Sequence, residues 1–459
     1  MCQDRKTDII NLKIKRQLLI KTFYLNKIVY YISGAAAVIF VLSYFMPGLY
    51  KVGEVIILLL AIAIFVDIFL VYNKNKGFYA KRLVADRFSI GDNNKVAIQL
   101  SNNYLFPVRI SIIDELPVQF QERNWVKKVF VKGNSKYLFE YFLKPLSRGE
   151  YVFEDINVYV HAPLQLVKRR FIFPSHQVVK VYPSYIQMRR YQLLAVSNRL
   201  QEAGIKKIRK IGHSMEFEQI KEYVRGDDYR TINWKATARK EGLMVNNYTD
   251  ERSQQIYCLI NKGRVMKMPF NGLTLLDYAI NTSLVLSNIA LVKHDKAGVI
   301  TFEKNLDTFL LADKKPTQMN LVLESLYKQK TDFLESDFEK LFSAIRNRIT
   351  NRSLLVLFTN FESLESLQRE MSALKKIAKY HLLLVILFEN TELKSVIEGN
   401  VHTLEDVYIK TIAEKFAFEK KQMIKELHKN GIPSILTTPE NLTVNTINKY
   451  LELKNRMSI

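Results

Sequence analysis

Cysteine is nearly absent. Cys2 and Cys258 are the only two, too few for a disulfide framework and in keeping with a reducing compartment. The histidines (161, 176, 213, 294, 381, 402 and 428) show no H-x-x-x-H or Cys/His ligand spacing, so nothing in the sequence points to zinc. No G-x-S-x-G elbow and no glycine-rich loop in a strand-to-helix turn is present, which leaves serine hydrolysis and nucleotide binding without support. With 16 glycines and 11 prolines in 459 residues, a collagen-like or low-complexity chain is excluded. Acidic charge is also short: 68 Lys and Arg face 45 Asp and Glu, a net charge of +23. Apolar residues are plentiful, at 48% with 12% aromatic, enough for packed cores in two to four domains of roughly 100–200 residues each.

Long uncharged runs stand at the N-terminal end. Ile28–Met46 (IVYYISGAAAVIFVLSYFM) carries no formal charge and is long enough to cross a bilayer core of about 30 Å as a helix. Pro47 and Gly48 break it, and Val52–Tyr72 comes next, interrupted by Glu54 and Asp67. So short a loop predicts a helical hairpin over residues 28–72. Arg5, Lys6, Lys13, Lys15, Arg16, Lys21 and Lys27 precede the runs and Lys74, Lys76, Lys81 and Arg82 succeed them, against Lys51 alone between. The positive-inside rule therefore predicts a two-pass inner-membrane protein with both termini cytoplasmic. Asp67, about one turn from the basic flank, reads as an interfacial carboxylate that snorkels toward the headgroups.

Residues 78–183 read as a β-sandwich. KVAIQLS, PVRISII, KYLFEYFL and EYVFEDINVYV alternate apolar and polar positions between turn residues, and the FIF and VVKVYP runs close the module. No cluster of chemistry-bearing side chains stands out, so this is a structural or interaction module.

The densest polar stretch lies within residues 184–252. Between Arg209 and Val245 it reads RKIGHSMEFEQIKEYVRGDDYRTINWKATARKEGLMV. Phe217, Ile220 and Tyr223–Val224 have helical spacing and predict a short helix from Met215 to Val224, ended by Gly226 in the left-handed conformation. Asp227 and Asp228 are placed to cap the next element, and Arg230, Trp234, Lys235, Ala238 and Arg239 predict a second helix with Arg230 and Trp234 on one side. Two acids beside an arginine suggest a charge network. A carboxylate paired to Arg has a lowered pKa and is a poor general acid. Anion binding and catalysis remain the other readings of the stretch, and His213 reads as a hydrogen-bonded surface residue.

The order Arg209…Gly212…Glu216-Phe217…Glu222-Tyr223…Gly226-Asp227…Arg230…Ile232…Trp234…Ala238-Arg239…Leu243…Val245 resembles the signature of the bacterial domain-of-unknown-function family numbered fifty-eight. Asp114-Glu115-Leu116-Pro117, Pro145…Arg148-Gly149, Ala162-Pro163…Leu166 and Val181-Tyr182-Pro183 resemble its upstream motifs, and two N-terminal spans are its usual layout. Ser214, Lys221, Asn233 and Ala162 depart from the family pattern. At Asn233 the family commonly has Asp, so an acid–base role there is in doubt.

Residues 253–459 alternate buried-type strands (Ile256–Ile260, Gly298–Phe302, Leu354–Thr359, Leu382–Leu387, Ser434–Leu436) with amphipathic helices, and Thr308–Leu311 reads as a strand beside the second. The pattern predicts a doubly wound parallel α/β sheet. It resembles a von Willebrand factor A-like domain, which commonly binds Mg²⁺ through an Asp-x-Ser-x-Ser motif. Here Asn261, Gly263 and Val265 replace those ligands, Lys262 and Arg264 would repel a cation, and Asn360 stands where a later Asp is expected. No metal or other cofactor is predicted.

The sequence thus reads as a membrane-anchored adaptor of no recognisable catalytic constellation. The resemblance implies a MoxR-type AAA+ ATPase as its partner, in envelope maintenance, stress response or protein assembly. The rival is an enzyme acting on an anionic substrate through Glu216, Glu222, Asp227, Arg230 and Arg239. A third reading is an electrostatic platform built on Lys206, Lys207, Arg209 and Lys210. Nothing resembles a groove-reading helix, so no specific nucleic acid is expected.

Overall fold

The computed structural model describes residues 22–74, 77–122, 125–196, 204–205, 216–224, 227–240, 242–249, 253–399 and 403–455. It divides into two compact units, Met1–Val181 and Tyr182–Ile459.

In the first unit a short strand, Phe23–Leu25 (β1), leads through the cap residue Asn26 into helix Lys27–Leu42 (α1), and Pro47 opens helix Gly48–Tyr72 (α2). Pro suits this place because the first helical N–H groups have no intrahelical partner. α1 ends four residues earlier than the uncharged run, in a turn where the Ser43 hydroxyl donates to Phe40 O at 2.6 Å. α2 is long and apolar enough to cross a membrane, while α1 is a shorter apolar helix. Gly53 of α2 sits under the Phe40 ring, which an added Cβ would meet at 2.9 Å, so glycine sets how closely the helices pack.

The β-rich part comprises Phe78–Val84 (β2), Arg87–Ser89 (β3), Asn94–Asn102 (β4), Val108–Asp114 (β5), Lys127–Val131 (β6), Ser135–Leu143 (β7), Gly149–Phe153 (β8), Ile156–His161 (β9), Val167–Phe173 (β10) and Gln177–Tyr182 (β11). They form a five-stranded sheet, β1-β10-β9-β5-β6, and two three-stranded sheets, β2-β4-β7 and β3-β11-β8. The EYVFEDINVYV run divides at Glu154-Asp155 into β8 and β9. Alternate residues such as Ile98, Leu100, Ile110, Ile112, Val158 and Val160 are buried, as a period of two requires. Within this core Arg82 and Asp114 form a fully buried ion pair. The Tyr141 hydroxyl also donates to Asp114, and Arg82 donates to Ser175 O at 2.7 Å and Glu154 O at 3.0 Å.

The hairpin is stitched to this module at its base. Asp67 is buried and accepts the backbone N–H groups of Leu164 (3.1 Å) and Leu166 (3.0 Å), in the loop between β9 and β10. The expectation of a snorkelling carboxylate is therefore corrected: a buried acid is stabilised by donors, and two backbone amides supply them. From the other helix, the Asn26 side chain donates to Gln165 O at 2.6 Å. Arg169 donates to Val71 O and Lys74 O at the end of α2, and the Tyr104 hydroxyl donates to Val71 O at 2.7 Å.

In the second unit helix Tyr185–Val196 (α3) precedes a two-stranded ribbon, Glu216–Glu222 (β12) with Met244–Thr249 (β13), whose connection carries the four-residue helix Trp234–Thr237 (α4). The α/β part continues with Gln255–Asn261 (β14), the small pair Pro269–Phe270 (β15) and Leu273–Thr274 (β16), Leu275–Val292 (α5), Lys296–Phe302 (β17), Leu306–Asp313 (β18), Gln318–Tyr327 (α6), Phe338–Arg348 (α7), Leu354–Phe358 (β19), Leu364–Tyr380 (α8), Leu382–Phe388 (β20), Thr391–Glu398 (α9), Leu404–Lys429 (α10), Ser434–Thr437 (β21) and Leu442–Asn455 (α11).

Its sheet runs β18-β17-β14-β19-β20-β21, parallel except for β18, which pairs antiparallel with β17. The sheet is thus mixed, with one antiparallel edge. One face (Ile256, Cys258, Ile260, Val356, Leu384) packs with α5, α6 and α11, and the other (Tyr257, Leu259, Leu355, Val385) with α7, α8 and α10. Continuous apolar strands reflect this burial on both sides. Leu275–Val292 also has the length and composition of a span, but it is 83% buried and serves as a core helix.

Candidate functional site

The signature stretch does not form the two predicted helices. β12 pairs antiparallel with β13 in the register Phe217↔Tyr248, then Gln219↔Asn247, Ile220↔Asn246 and Glu222↔Met244, with a bulge between Phe217 and Gln219. A bulge inserts one residue, so an i, i+3 spacing on β12 spans only two ladder steps. That is why Phe217 and Ile220 mimic helical periodicity. Glu216 and Phe217 lie on this strand, and Glu222 ends it with an exposed side chain. Arg209, Gly212 and Gly226, the predicted helix-ending glycine, lie outside the described residues, as do Lys206, Lys207, Lys210 and His213.

The connection folds back on β13 by local hydrogen bonds. Tyr223 N–H donates to Leu243 O and Asn233 N–H to Met244 O, each at 2.8 Å, while Met244 N–H donates to the Thr237 hydroxyl at 2.9 Å. The acids hold turns. Asp227 accepts Val224 N–H at 3.0 Å and Lys221 Nζ at 2.9 Å, and these donors hold its carboxyl below the usual range. Its ion-pair partner is therefore Lys221; the predicted Asp–Arg network is not formed at this residue. Asp228 caps the 3-10 turn Tyr229–Thr231 by accepting Arg230 N–H at 3.0 Å, as a capping acid should.

Asn233 does the same for α4. Its Oδ1 accepts Ala236 N–H at 3.0 Å, and its Nδ2 donates to Asn246 Oδ1 at 2.8 Å. An asparagine can donate and accept at once, which an ionised aspartate cannot. Because Ile232 and Asn233 are extended, Arg230 and Trp234 do not share a helix. Ala238 N–H donates to Trp234 O at 3.0 Å, and Arg239 N–H to Ala236 O at 3.1 Å.

The groups left facing outward are aromatic and cationic. Trp234 is 70% and Tyr229 69% exposed, and the Arg230 guanidinium stands over the Tyr229 ring at 5.7 Å. Lys235 and Arg239 are exposed beside them, and Val224 and Leu243 are exposed apolar neighbours in sequence. Tyr229 went unremarked in the sequence; its place between a capping acid and an exposed arginine was the available signal.

The second constellation lies at the carboxyl ends of β14 and β19. The buried Asn261 accepts Gly263 N–H (2.7 Å) and the Ser336 hydroxyl (2.5 Å), and donates to the Thr359 hydroxyl (2.9 Å). Lys262, also buried, pairs with Asp307 and donates to Lys330 O at 2.6 Å. From α10, Lys420 donates to Asn360 Oδ1 at 2.6 Å and Phe361 O at 2.5 Å, and burial brings its pKa down to about 8. Val265 packs on the core and Arg264 pairs with Glu362 at 3.2 Å on the surface. The side-chain oxygens of Asn261 and Asn360 are thus engaged by protein donors, that of Asn360 by the Lys420 ammonium group. Beside them lies an open cleft of about 360 Å³ in which Lys262, Lys328 and Lys330 face Glu303, Asp307 and Asp332, so its charges balance. Cys258, on the same strand, is buried, and its thiol is pushed up to about 12 by desolvation, far from thiolate reactivity.

Comparison with known proteins places these features. Residues 219–415 match the family described as Protein of unknown function DUF58. A stretch of 180 residues is 27% identical to the uncharacterized protein YeaD of Bacillus subtilis (strain 168), covering 38% of this chain and 44% of that one. The match thus spans less than half of the curated relative. Among solved structures, the conserved hypothetical protein BatB from Bacteroides thetaiotaomicron aligns over 44% of this chain and 99% of its own, with 14% identity and a TM-score of 0.29. A CARDB domain from Pyrococcus furiosus aligns over 23% of this chain and 86% of its own, with 12% identity and a TM-score of 0.17. Both structural likenesses are too distant to bear on function. Residues 219–415 take in most of the β12–β13 ribbon and the α/β part as far as α10, and it is this stretch that matches the DUF58 family.

Proposed function

We propose that the protein is a membrane-anchored adaptor in the inner membrane, with the α1–α2 hairpin crossing the bilayer, both termini cytoplasmic, and the ribbon connection docking a soluble protein partner. The observation that carries this reading is the division of labour in the signature stretch. Asp227, Asp228 and Asn233 hold its own backbone, while Tyr229, Arg230 and Trp234 are presented to solvent. Trp, Tyr and Arg are the residue types that dominate binding energy at protein interfaces. In this reading the α/β part is a von Willebrand A-like domain that docks without a metal. The partner is the MoxR-type AAA+ ATPase that the family resemblance implies, acting in envelope maintenance, stress response or protein assembly.

The enzyme alternative, through Glu216, Glu222, Asp227, Arg230 and Arg239, calls for a carboxylate held protonated near neutral pH. The donors around Asp227 favour its ionised form, which speaks for docking. The test is a pull-down of the solubilised full-length chain with and without ATP, comparing native protein with Trp234→Ala/Arg230→Ala. An ATPase held by the native chain and lost from the variant supports the proposal. Retention of no ATPase in any condition removes the partner. Turnover of a substrate that stops when one acid of the ribbon is neutralised replaces the adaptor with an enzyme.

A further inference from the structure

The outer face of the five-stranded sheet is cationic, and its position relative to the hairpin gives the charge a purpose. β1 runs straight into α1 at Lys27, and β10 returns from the same end. Register places Tyr24 of β1 beside Lys168, Lys168 beside His161, His161 beside Arg109 and Arg109 beside Phe130, so these residues form one cross-strand row at the hairpin end. The next row inward is Arg170, Tyr159, Ser111 and Lys128. Lys27, Arg109 and Lys128 are exposed and Lys168 is half-buried, and among the described residues no carboxylate makes an ion pair with any of the four.

The field of this group is felt inside it. Burial first, and then Lys168, Lys128 and Arg109, bring the His161 pKa down to about 4. Burial, then Lys128 and Lys27, lower that of Lys168. Four cations gathered at one end of the sheet without a carboxylate partner call for an anion from outside the chain.

One loop at this end reaches up along α2, and another meets the end of the helix. Leu164, 53% exposed, is tied through its N–H to Asp67, five residues before the end of the helix and so about 7.5 Å up it. Leu105, 83% exposed, comes directly after Tyr104, whose hydroxyl holds Val71 O. Basic side chains beneath apolar tips, beside the first turn of an apolar helix, match the headgroup layer of an anionic leaflet below its acyl boundary. Nucleic acid would find the charge but no use for Leu105 and Leu164.

We propose that this end of the sheet is a docking surface for anionic phospholipid headgroups, with Lys27, Arg109, Lys128 and Lys168 binding the phosphates and Leu105 and Leu164 entering the acyl boundary. The proposal rests on the membrane-spanning reading of the hairpin. Its test uses the full-length chain in nanodiscs of phosphatidylcholine with or without phosphatidylglycerol, bound lipid being counted by native mass spectrometry. The triple variant Arg109→Gln/Lys128→Gln/Lys168→Gln should weaken phosphatidylglycerol retention on the order of a hundredfold and leave phosphatidylcholine unchanged. Lys95→Gln/Lys144→Gln/Lys180→Gln, removing equal charge elsewhere in the module, should leave both unchanged. Equal loss in the two triples, no preference for phosphatidylglycerol, or retention of RNA in its place overturns the proposal while the hairpin reading stands. Release of the native chain from membranes by alkaline carbonate overturns both.

Discussion

The two units bury charge in different ways. In the first, the buried acids Asp67 and Asp114 tie together segments distant in the chain. Asp67 joins α2 to the β9–β10 loop, and Asp114 joins β5 to β2 and β7 through Arg82 and Tyr141. In the second, the buried Lys262 is satisfied by Asp307 and Lys330 O, and the half-buried Lys420 by Asn360 and Phe361 O just past the end of β19. The first arrangement makes an anchor, because each acid fixes the module to itself or to the hairpin. The second leaves the oxygens of Asn261 and Asn360 occupied by protein donors; in the docking reading proposed above, recognition falls to exposed residues such as Trp234.

The sharpest way to break this contrast is Asp114→Ala. It leaves the Arg82 guanidinium buried without its carboxylate, and removal of one partner of such a pair costs about 3–5 kcal/mol. Denaturant unfolding should show that loss in the first unit and leave the transition of the second in place. Asp67→Ala comes next. It orphans the buried Leu166 amide and the part-buried Leu164 amide for a cost of about 1–3 kcal/mol, and hydrogen exchange at Leu164 and Leu166 should accelerate without change at β14 or β19.

In the second unit the contrast becomes a pH effect. Lys420 has a folded-state pKa near 8 against an ordinary 10.5, so between those values the unfolded chain binds more protons. Stability should rise with pH across that window, with a slope of up to about 1.4 kcal/mol per pH unit, and the destabilisation is fully present below pH 8. Lys420→Met should flatten this rise, measured by thermal unfolding across the window. The smallest expected change in stability is Trp234→Ala, within about 0.5 kcal/mol because the side chain is exposed. Its melting temperature should stay while partner capture falls.

How much of this could be read beforehand depends on how local each cause is. Ile256–Ile260 and Leu354–Thr359 announced themselves because strands buried on both faces are apolar throughout. β1 was invisible: Phe23–Leu25 is a strand only because Val167–Arg169 pairs with it from far downstream. The role of Asp67 was equally hidden, since its donors come from residues 97 and 99 positions later. β12 was misread because a bulge shifted its period. At the candidate site the capping role of Asp228 was legible from residue type alone. The lysine pairing of Asp227 and the Lys420 contact were not, since each depends on where a flexible side chain lands in the folded chain.

The most direct test of the docking claim places a photo-crosslinking amino acid at Trp234 in the full-length chain, in its native membrane. The account predicts a nucleotide-dependent crosslink to a soluble ATPase, and none from the same group placed at Lys180 on the β module. A Trp234 position that captures no protein under any nucleotide condition, in a chain shown to be folded and membrane-bound, would contradict it.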